Sequence, residues 1–215
     1  MRPMRHGYTN DTRGGAGRVE KDYLGPDAAG RCAREREALA ALHGLLPVPA
    51  VHGAAPLRLS LERLPGEHGQ DLIEQGHAAA VLRSAGEVLG RLHAIPAEPG
   101  AVLVHGDFGP NNMLFDPGDF TVTALLDWEF AHVGRPVEDL AWCEWIVRFH
   151  HAEHAGALAE FFAAYGGLVP DWSERQASRL ARCRELEEFC ERWEPGGAGA
   201  RQWVERAAIT ASWRE

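Results

Sequence analysis

The chain has 215 residues, of which 45% are hydrophobic and 25% are charged, so it can bury an apolar core without disulfide or metal crosslinks. Its 22 basic and 31 acidic side chains leave a formal net charge of −9. This balance argues against nucleic acid or an anionic membrane as the main partner, and no apolar run reaches the roughly 18 residues of a membrane span.

The glycine-rich segment 7–18 predicts a loop or a hairpin turn at the start of the chain. Alternating apolar residues then predict two strands, around residues 19–23 and 57–61. An Ala-, Arg- and Glu-rich stretch between them, residues 28–43, predicts a helix that Gly44 would end. The beginning of the chain is therefore expected to be a small unit of strands with one helix.

The remainder of the chain is predicted to be mainly helical. Apolar residues at three- and four-residue spacing between 81 and 92 indicate an amphipathic helix. Further helices are expected at about 137–150, 152–165, 173–194 and 201–213. Together these elements predict an α+β protein with an N-terminal unit, residues 1–62, and a helical C-terminal unit, residues 63–215.

The cations of this chain are distributed unevenly, because Lys21 is its one lysine among 22 basic residues. A lone lysine in such a chain is a candidate for a role that needs a compact charge on a flexible stem. The four cysteines form no Cys-x-x-Cys pair, and the polar first eleven residues contain no apolar signal-peptide core. We therefore expect free thiols and a cytoplasmic location.

An eight-residue stretch that ends at Asn112 reads His-Gly-Asp-Phe-Gly-Pro-Asn-Asn, and a β-hairpin is predicted to follow it. Apolar residues 113–115 and 120–126 flank Asp-Pro-Gly-Asp, which is a hairpin turn signal. Asn112 directly precedes the first strand and Asp127 directly follows the second, so antiparallel pairing brings them to the same open end. Asp107 lies on the loop that leads into that end.

Two carboxylates and one amide oxygen therefore converge at the open end of the hairpin. Hard oxygen donors suit Mg²⁺, which proteins usually hold with one or two carboxylates together with substrate phosphates. A further carboxylate can orient or deprotonate an attacking hydroxyl. An Asp, an Asn five residues later and an Asp beyond a hairpin match the phosphoryl-transfer arrangement of protein kinases.

These motifs resemble the aminoglycoside phosphotransferase and choline kinase branch of the kinase-like enzymes. The resemblance rests on His-Gly-Asp-x-x-x-x-Asn followed by Leu-Asp-Trp-Glu, and it covers about residues 6–195. It implies a protein-kinase-like two-lobe fold, with an N-terminal lobe that is abbreviated here. It also implies an ATP- and Mg²⁺-dependent enzyme that phosphorylates a hydroxyl group of a small molecule.

The resemblance implies a role for each matched residue. Asp107 would be the catalytic base, and Asn112 and Asp127 would hold Mg²⁺. Lys21 would contact the α- and β-phosphates of ATP, and Glu35 would position Lys21. The loop that covers the phosphates would contribute Tyr8, Thr9 and Asn10.

The resemblance implies that the acceptor lies against the helices that follow Asp127, and residues 138–194 carry 12 acidic and 6 basic side chains. The acceptor is therefore expected to be aminoglycoside-like or another cationic polyol. An acidic cleft concentrates cations, and Trp142 and Trp145 could add cation–π contacts. The alternative is that the acids are solvated and both tryptophans belong to the core.

Two other interpretations stay open: a pseudokinase that binds nucleotide without turnover, and a zinc site on His150 and His154, which have helical i, i+4 spacing.

Overall fold

The computed structural model describes residues 2–3, 10–15 and 17–215. The N-terminal part holds five strands and one long helix: β1 (Arg2–Pro3), β2 (Asn10–Gly14), β3 (Arg18–Tyr23), α1 (Ala28–Leu42), β4 (Val51–Ala55) and β5 (Arg58–Glu62). The strands form one antiparallel sheet in the order β1-β2-β3-β5-β4. Helix α1 packs on β3, β4 and β5.

The segment 7–18 is not only a turn, because its residues Asn10–Gly14 form strand β2. Backbone pairing with β3, in a register that sets Thr12 opposite Lys21, outweighs the low strand propensity of this polar stretch. Residues 7–9 and residue 16 lie outside the described residues. The alternation predicted for β3 is confirmed, since Lys21 and Tyr23 both point into the interior.

The C-terminal part is built from helices and short strands, as predicted. Its elements are β6 (Glu67–His68), α2 (Gly69–Leu72), a π-helical turn (Ile73–His77), α3 (Ala78–His93), β7 (Val102–Val104), a 3₁₀ turn (Pro110–Asn112), β8 (Met113–Phe115), β9 (Val122–Leu125), β10 (His132–Gly134), α4 (Pro136–His150), a 3₁₀ turn (Ala152–Ala157), α5 (Leu158–Tyr165), α6 (Trp172–Trp193) and α7 (Ala198–Ser212). Strand β7 pairs with β10, and β8 pairs with both β6 and β9.

The predicted helix over 152–165 is interrupted, because its first part is a 3₁₀ turn and only Leu158–Tyr165 is α-helical. Helix α3 buries its apolar stripe against α5 and β9. Gly86 and Gly90 lie one turn apart on α3, and a Cβ at either position would collide with a backbone carbonyl of α5. The missing side chains therefore let the two helices pack backbone to backbone.

The predicted hairpin is confirmed. Met113 pairs with Leu125, and the two strands are antiparallel with one irregularity after Leu114. Among the described residues, no helix combines the length and the apolar composition that crossing a bilayer requires. The boundary between residues 62 and 63 stays a prediction.

Candidate active site

Asp139, which lies in the first turn of α4 and is fully buried, hydrogen-bonds the backbone of the loop between β7 and β8. One carboxylate oxygen accepts the backbone N–H of His105 at 2.8 Å, and the other accepts that of Gly106 at 3.0 Å. His93 Nε2 lies 3.2 Å from the same carboxylate. Burial raises the pKa of Asp139, but the hydrogen bonds and charges of His93 and His105 outweigh it and leave this pKa below its ordinary value. Asp139 therefore fixes the loop as an anion.

Two backbone features complete the shape of this loop. Gly106 has φ of 82°, in the left-handed region that favours glycine, and a Cβ there would collide with the carbonyl of Phe130. The ring of His105 lies between a backbone carbonyl and the loop itself, with Nε2 2.9 Å from Leu126 O and Nδ1 accepting the N–H of Asp107 at 3.2 Å. The buried His105 side chain therefore supports the loop.

The carboxylate of Asp107 accepts a hydrogen bond on each oxygen. Asn112 Nδ2 donates to Oδ2 at 2.7 Å, and Trp142 Nε1 donates to Oδ1 at 2.7 Å. Asn112 Nδ2 also donates to the backbone carbonyl of Asp107 at 2.8 Å. Because both bonds use the amide nitrogen, the Asn112 amide oxygen stays available as an acceptor or a metal ligand.

Asp127 comes next to Asn112 through the hairpin. The N–H of Leu126 donates to the carbonyl of Asn112 at 2.9 Å, so the two residues share the open end, as predicted. The backbone of Asp127 has φ of 66°, which is uncommon for a residue with a side chain. Strained backbone of this kind costs about 1–3 kcal/mol and is concentrated at functional sites.

The ammonium group of Lys21 lies between two carboxylates. Its Nζ is 2.5 Å from Glu35 Oε2 and 2.5 Å from Asp127 Oδ1, and the hydroxyl of Tyr23 donates to the same Glu35 oxygen. Burial lowers the pKa of Lys21, but the charges of Asp127 and Glu35 outweigh it and raise this pKa above its usual value. The structure thus brings together three of the predicted residues, Lys21, Glu35 and Asp127, around one buried positive charge.

A second buried ion pair lies beside this one. Arg31 Nη1 donates to Glu129 Oε2 at 2.6 Å, and both side chains are only 1% exposed. Asn10 Nδ2 donates to the same Glu129 oxygen at 2.8 Å. Of the predicted phosphate-covering residues, Asn10 therefore reaches the edge of the site, whereas Tyr8 and Thr9 lie outside the described residues.

The oxygen donors of the site fit a hard divalent cation. Ligand atoms of Glu35, Asp127 and Glu129 all lie within 4.8 Å of one another, but Lys21 and Arg31 already neutralise the two glutamates. Lys21 also pairs with one oxygen of the partly buried Asp127 carboxylate. The other Asp127 oxygen and the Asn112 amide oxygen remain as candidate donors for a metal, and both are of the type that Mg²⁺ prefers.

The zinc interpretation finds no support in the part of the chain that the structure describes. His150 and His154 belong to no group there with three metal-ligating side chains in reach of one another. His150 packs edge-on against Trp145 and Phe149, and burial lowers its pKa. Its ring therefore lies against the aromatic side chains at the end of α4.

Sequence analysis missed Asp139 and the contact that Trp142 makes with Asp107. No local signal separates Asp139 from its neighbour Glu138, because both are acids in the first turn of a helix. Trp142 and Trp145 are 4% and 1% exposed, so they belong to the core and do not offer free rings to a cation.

The sequence of this chain matches a known protein family. The profile of the family described as "Phosphotransferase enzyme family" matches residues 2–101 and 96–177. Among curated proteins, the chain is 43% identical over 91 residues to "Acyl-CoA dehydrogenase family member 11" of Gallus gallus. That match covers 42% of this chain and spans about an eighth of the length of the relative (12%).

Solved structures share the fold over nearly the whole chain. A macrolide 2'-phosphotransferase from Brachybacterium faecium has a TM-score of 0.65 at 21% identity, covering 100% of this chain and 93% of its own. The GDP and kanamycin complex of an APH(2") enzyme has a TM-score of 0.73 at 14% identity, covering 98% and 92%. The predicted α+β, two-lobe, kinase-like fold is therefore confirmed.

Proposed function

This chain belongs to the phosphotransferase enzyme family, and on that premise we propose that it transfers the γ-phosphoryl group of ATP to a hydroxyl group of a small molecule. The observation that carries the proposal is the convergence of Asp107, Asn112 and Asp127 at one end of the β8–β9 hairpin, with the Lys21 ammonium 2.5 Å from Asp127. Carboxylates, an amide oxygen and a fixed cation are the groups that phosphoryl transfer requires.

The nucleotide would bind against the sheet of the N-terminal part. Lys21 is held as a cation by Glu35 and would hydrogen-bond the α- and β-phosphates as a compact point charge. Tyr8, Thr9 and Asn10 would cover the phosphates. Bound ATP phosphates would replace the Asp127 carboxylate as a partner of Lys21, which frees Asp127 for the metal.

Asn112 and Asp127 would hold Mg²⁺ through the amide oxygen and the carboxylate. When bound, this ion neutralises charge that develops on the phosphate oxygens. Asp107 would orient the acceptor hydroxyl and take its proton. Each Asp107 oxygen already accepts one bond, and each keeps a second lone pair for the hydroxyl.

The acceptor we propose is a cationic polyol. Asp139 and Glu144 are buried, and Glu144 pairs with Arg148, Arg175 and Arg179. Without these five residues, segment 138–194 still carries ten acidic side chains against three arginines. The kanamycin bound in one structurally similar protein is a cationic polyol. Such a surface favours capture of a cation in a salt-dependent way.

The test is a screen of hydroxylated amines and matched neutral polyols with Mg-ATP and Mg-GTP. Turnover is measured as the release of nucleoside diphosphate. We expect ATP-dependent turnover with an amine acceptor, and a kcat/KM that falls steeply as salt rises. Equal use of a neutral polyol without salt dependence would remove the cationic acceptor and leave a small-molecule kinase. Nucleotide binding without turnover across the whole panel would favour the pseudokinase alternative.

Two variants test the residue roles. Asp107→Asn should lower kcat about 10²- to 10⁴-fold, the usual contribution of a general base, and leave Mg-ATP binding unchanged. Asp127→Asn should instead remove the magnesium dependence of nucleotide binding. Near wild-type turnover in Asp107→Asn would disprove the proposed mechanism.

A further inference from the structure

We propose that Trp142 is a positioning residue, whose indole N–H holds the carboxylate of Asp107 in the orientation that proton transfer needs. This inference rests on the proposed function, in which Asp107 acts on the acceptor hydroxyl. Trp142 Nε1 lies 2.7 Å from Asp107 Oδ1, and the bond joins the second turn of α4 to a loop residue 35 positions earlier.

The bond has a partner on the opposite oxygen. Asn112 donates to Oδ2 at 2.7 Å, so a neutral donor on each side fixes the plane of the Asp107 carboxylate. Asn112 has a second task in the proposed function, because its amide oxygen is a metal ligand. Trp142 has no such task, since an indole N–H can only donate. Its polar group therefore serves Asp107 alone.

Trp142 cannot rotate away from this position. Its ring stacks on that of Trp145, with centroids 4.6 Å apart and planes 4° apart, and the ring of Trp203 on α7 lies 6.0 Å away. Trp145 Nε1 in turn donates to Thr210 Oγ1 on α7 at 2.8 Å. The aromatic stack thus connects α7 to the loop of Asp107, with one indole hydrogen bond at each end.

The chemistry of the bond distinguishes this role from simple packing. Hydrogen bonds to a carboxylate favour its charged form and restrain its rotation. A phenyl ring at position 142 would keep part of the stacking, but it would lose the donor and the volume of one of the two fused rings. Trp145→Phe is the matched control, because it removes the same ring and N–H from the same stack without touching Asp107.

The first measurement needs no acceptor. In ¹⁵N-tryptophan-labelled protein, the indole N–H resonance of Trp142 should move when Asp107→Asn replaces its charged acceptor by an amide. The same substitution should still move this resonance in the Trp145→Phe background. A Trp142 resonance that does not respond to Asp107→Asn would overturn the proposal, even if no Trp142 variant folds.

The second measurement is single-turnover phosphate release from Mg-ATP, with water as the acceptor. We expect Trp142→Phe to slow the chemical step about 10- to 100-fold, the effect of losing a hydrogen bond to a charged group, with KM for Mg-ATP unchanged. A rate equal to that of Trp145→Phe would make Trp142 a packing residue only, whereas full activity in Asp107→Asn would refute the proposed function itself.

Discussion

Replacing Glu144 by Gln should destabilise the protein strongly, although Glu144 lies outside the proposed chemistry. Its side chain is 0% exposed and contacts three guanidinium groups. Arg148 Nε is 2.9 Å from one carboxylate oxygen, and Arg175 Nε is 2.8 Å from the other, which Arg179 also contacts. Burial lowers the pKa of Arg179 to about 10, against the opposing charge of Glu144. Glu215 also lies 3.9 Å from Arg175, but its side chain is exposed. Glu144 is therefore the buried carboxylate that compensates the buried positive charge of this cluster.

The size of the effect follows from the geometry. Removing one partner of a buried ion pair costs about 3–5 kcal/mol, because the other charge stays buried without compensation. Glutamine still accepts hydrogen bonds, so we expect the lower end, about 3 kcal/mol. For a chain of this length each kcal/mol lowers Tm by about 2–4 °C, which gives a decrease of about 6–12 °C.

The assay is thermal and urea denaturation followed by circular dichroism, with Glu160→Gln as the matched control. Glu160 pairs with Arg83 at 2.6 Å, but both side chains are exposed, and such pairs contribute about 0–1 kcal/mol. Equal melting temperatures for the two variants would refute this reasoning. A folded Glu144→Gln protein that loses its preference for amine acceptors would also refute it, because it would make Glu144 part of the acceptor site.

Three further changes have expected outcomes. Lys21→Arg should lower kcat/KM for Mg-ATP at least about tenfold, because a planar guanidinium does not replace a compact ammonium between Glu35 and Asp127. Steady-state kinetics at varied ATP concentration would measure this decrease. Asp139→Asn should reduce the free energy of unfolding by about 1–3 kcal/mol in urea titrations, because an amide NH₂ would face one of the two loop N–H groups. His132 pairs with Glu138 at 2.8 Å, and this bond raises the His132 pKa. A group with a raised pKa stabilises below its unfolded pKa and loses that effect as pH rises through the folded value. His132→Gln should therefore lower the urea midpoint at pH 6 and leave it unchanged at pH 9.

Elements with clear periodicity were predictable, and those formed by pairing alone were not. The stripe of α3 and the turn between β8 and β9 have strong local signals. Strand β4, Val51–Ala55, contains a glycine and two alanines, and its sequence shows no alternation of large apolar and polar residues. It forms because β5 offers an edge to pair with, through an irregular register between Val51 and Gly53. Tertiary pairing of this kind leaves no mark in the sequence of the strand itself.

The residues of the candidate site also fall into a predictable group and an unpredictable group. Asp107, Asn112 and Asp127 were predictable because they lie at fixed distances on one loop and one hairpin, so local geometry alone brings them together. Asp139 and Trp142 approach the loop from α4, a helix that arrives through packing. Their spacing from Asp107 is set by the path of the intervening chain, which no motif encodes.

The two α4 side chains that contact the loop also explain how a loop with so little regular structure can hold the proposed catalytic carboxylate in place. Asp139 and Trp142 are three residues apart, so they lie on one face of the helix, and one binds the loop backbone while the other binds its carboxylate. A rigid helix thereby sets both the position of the Asp107 main chain and the orientation of its side chain. Moving α4 by a fraction of an ångström would disturb both at once. Further along the same helix, Glu144 pairs with Arg175 and Arg179 of α6, and these ion pairs hold α4 against α6. The stability of these ion pairs and the alignment of Asp107 are therefore properties of one packed unit.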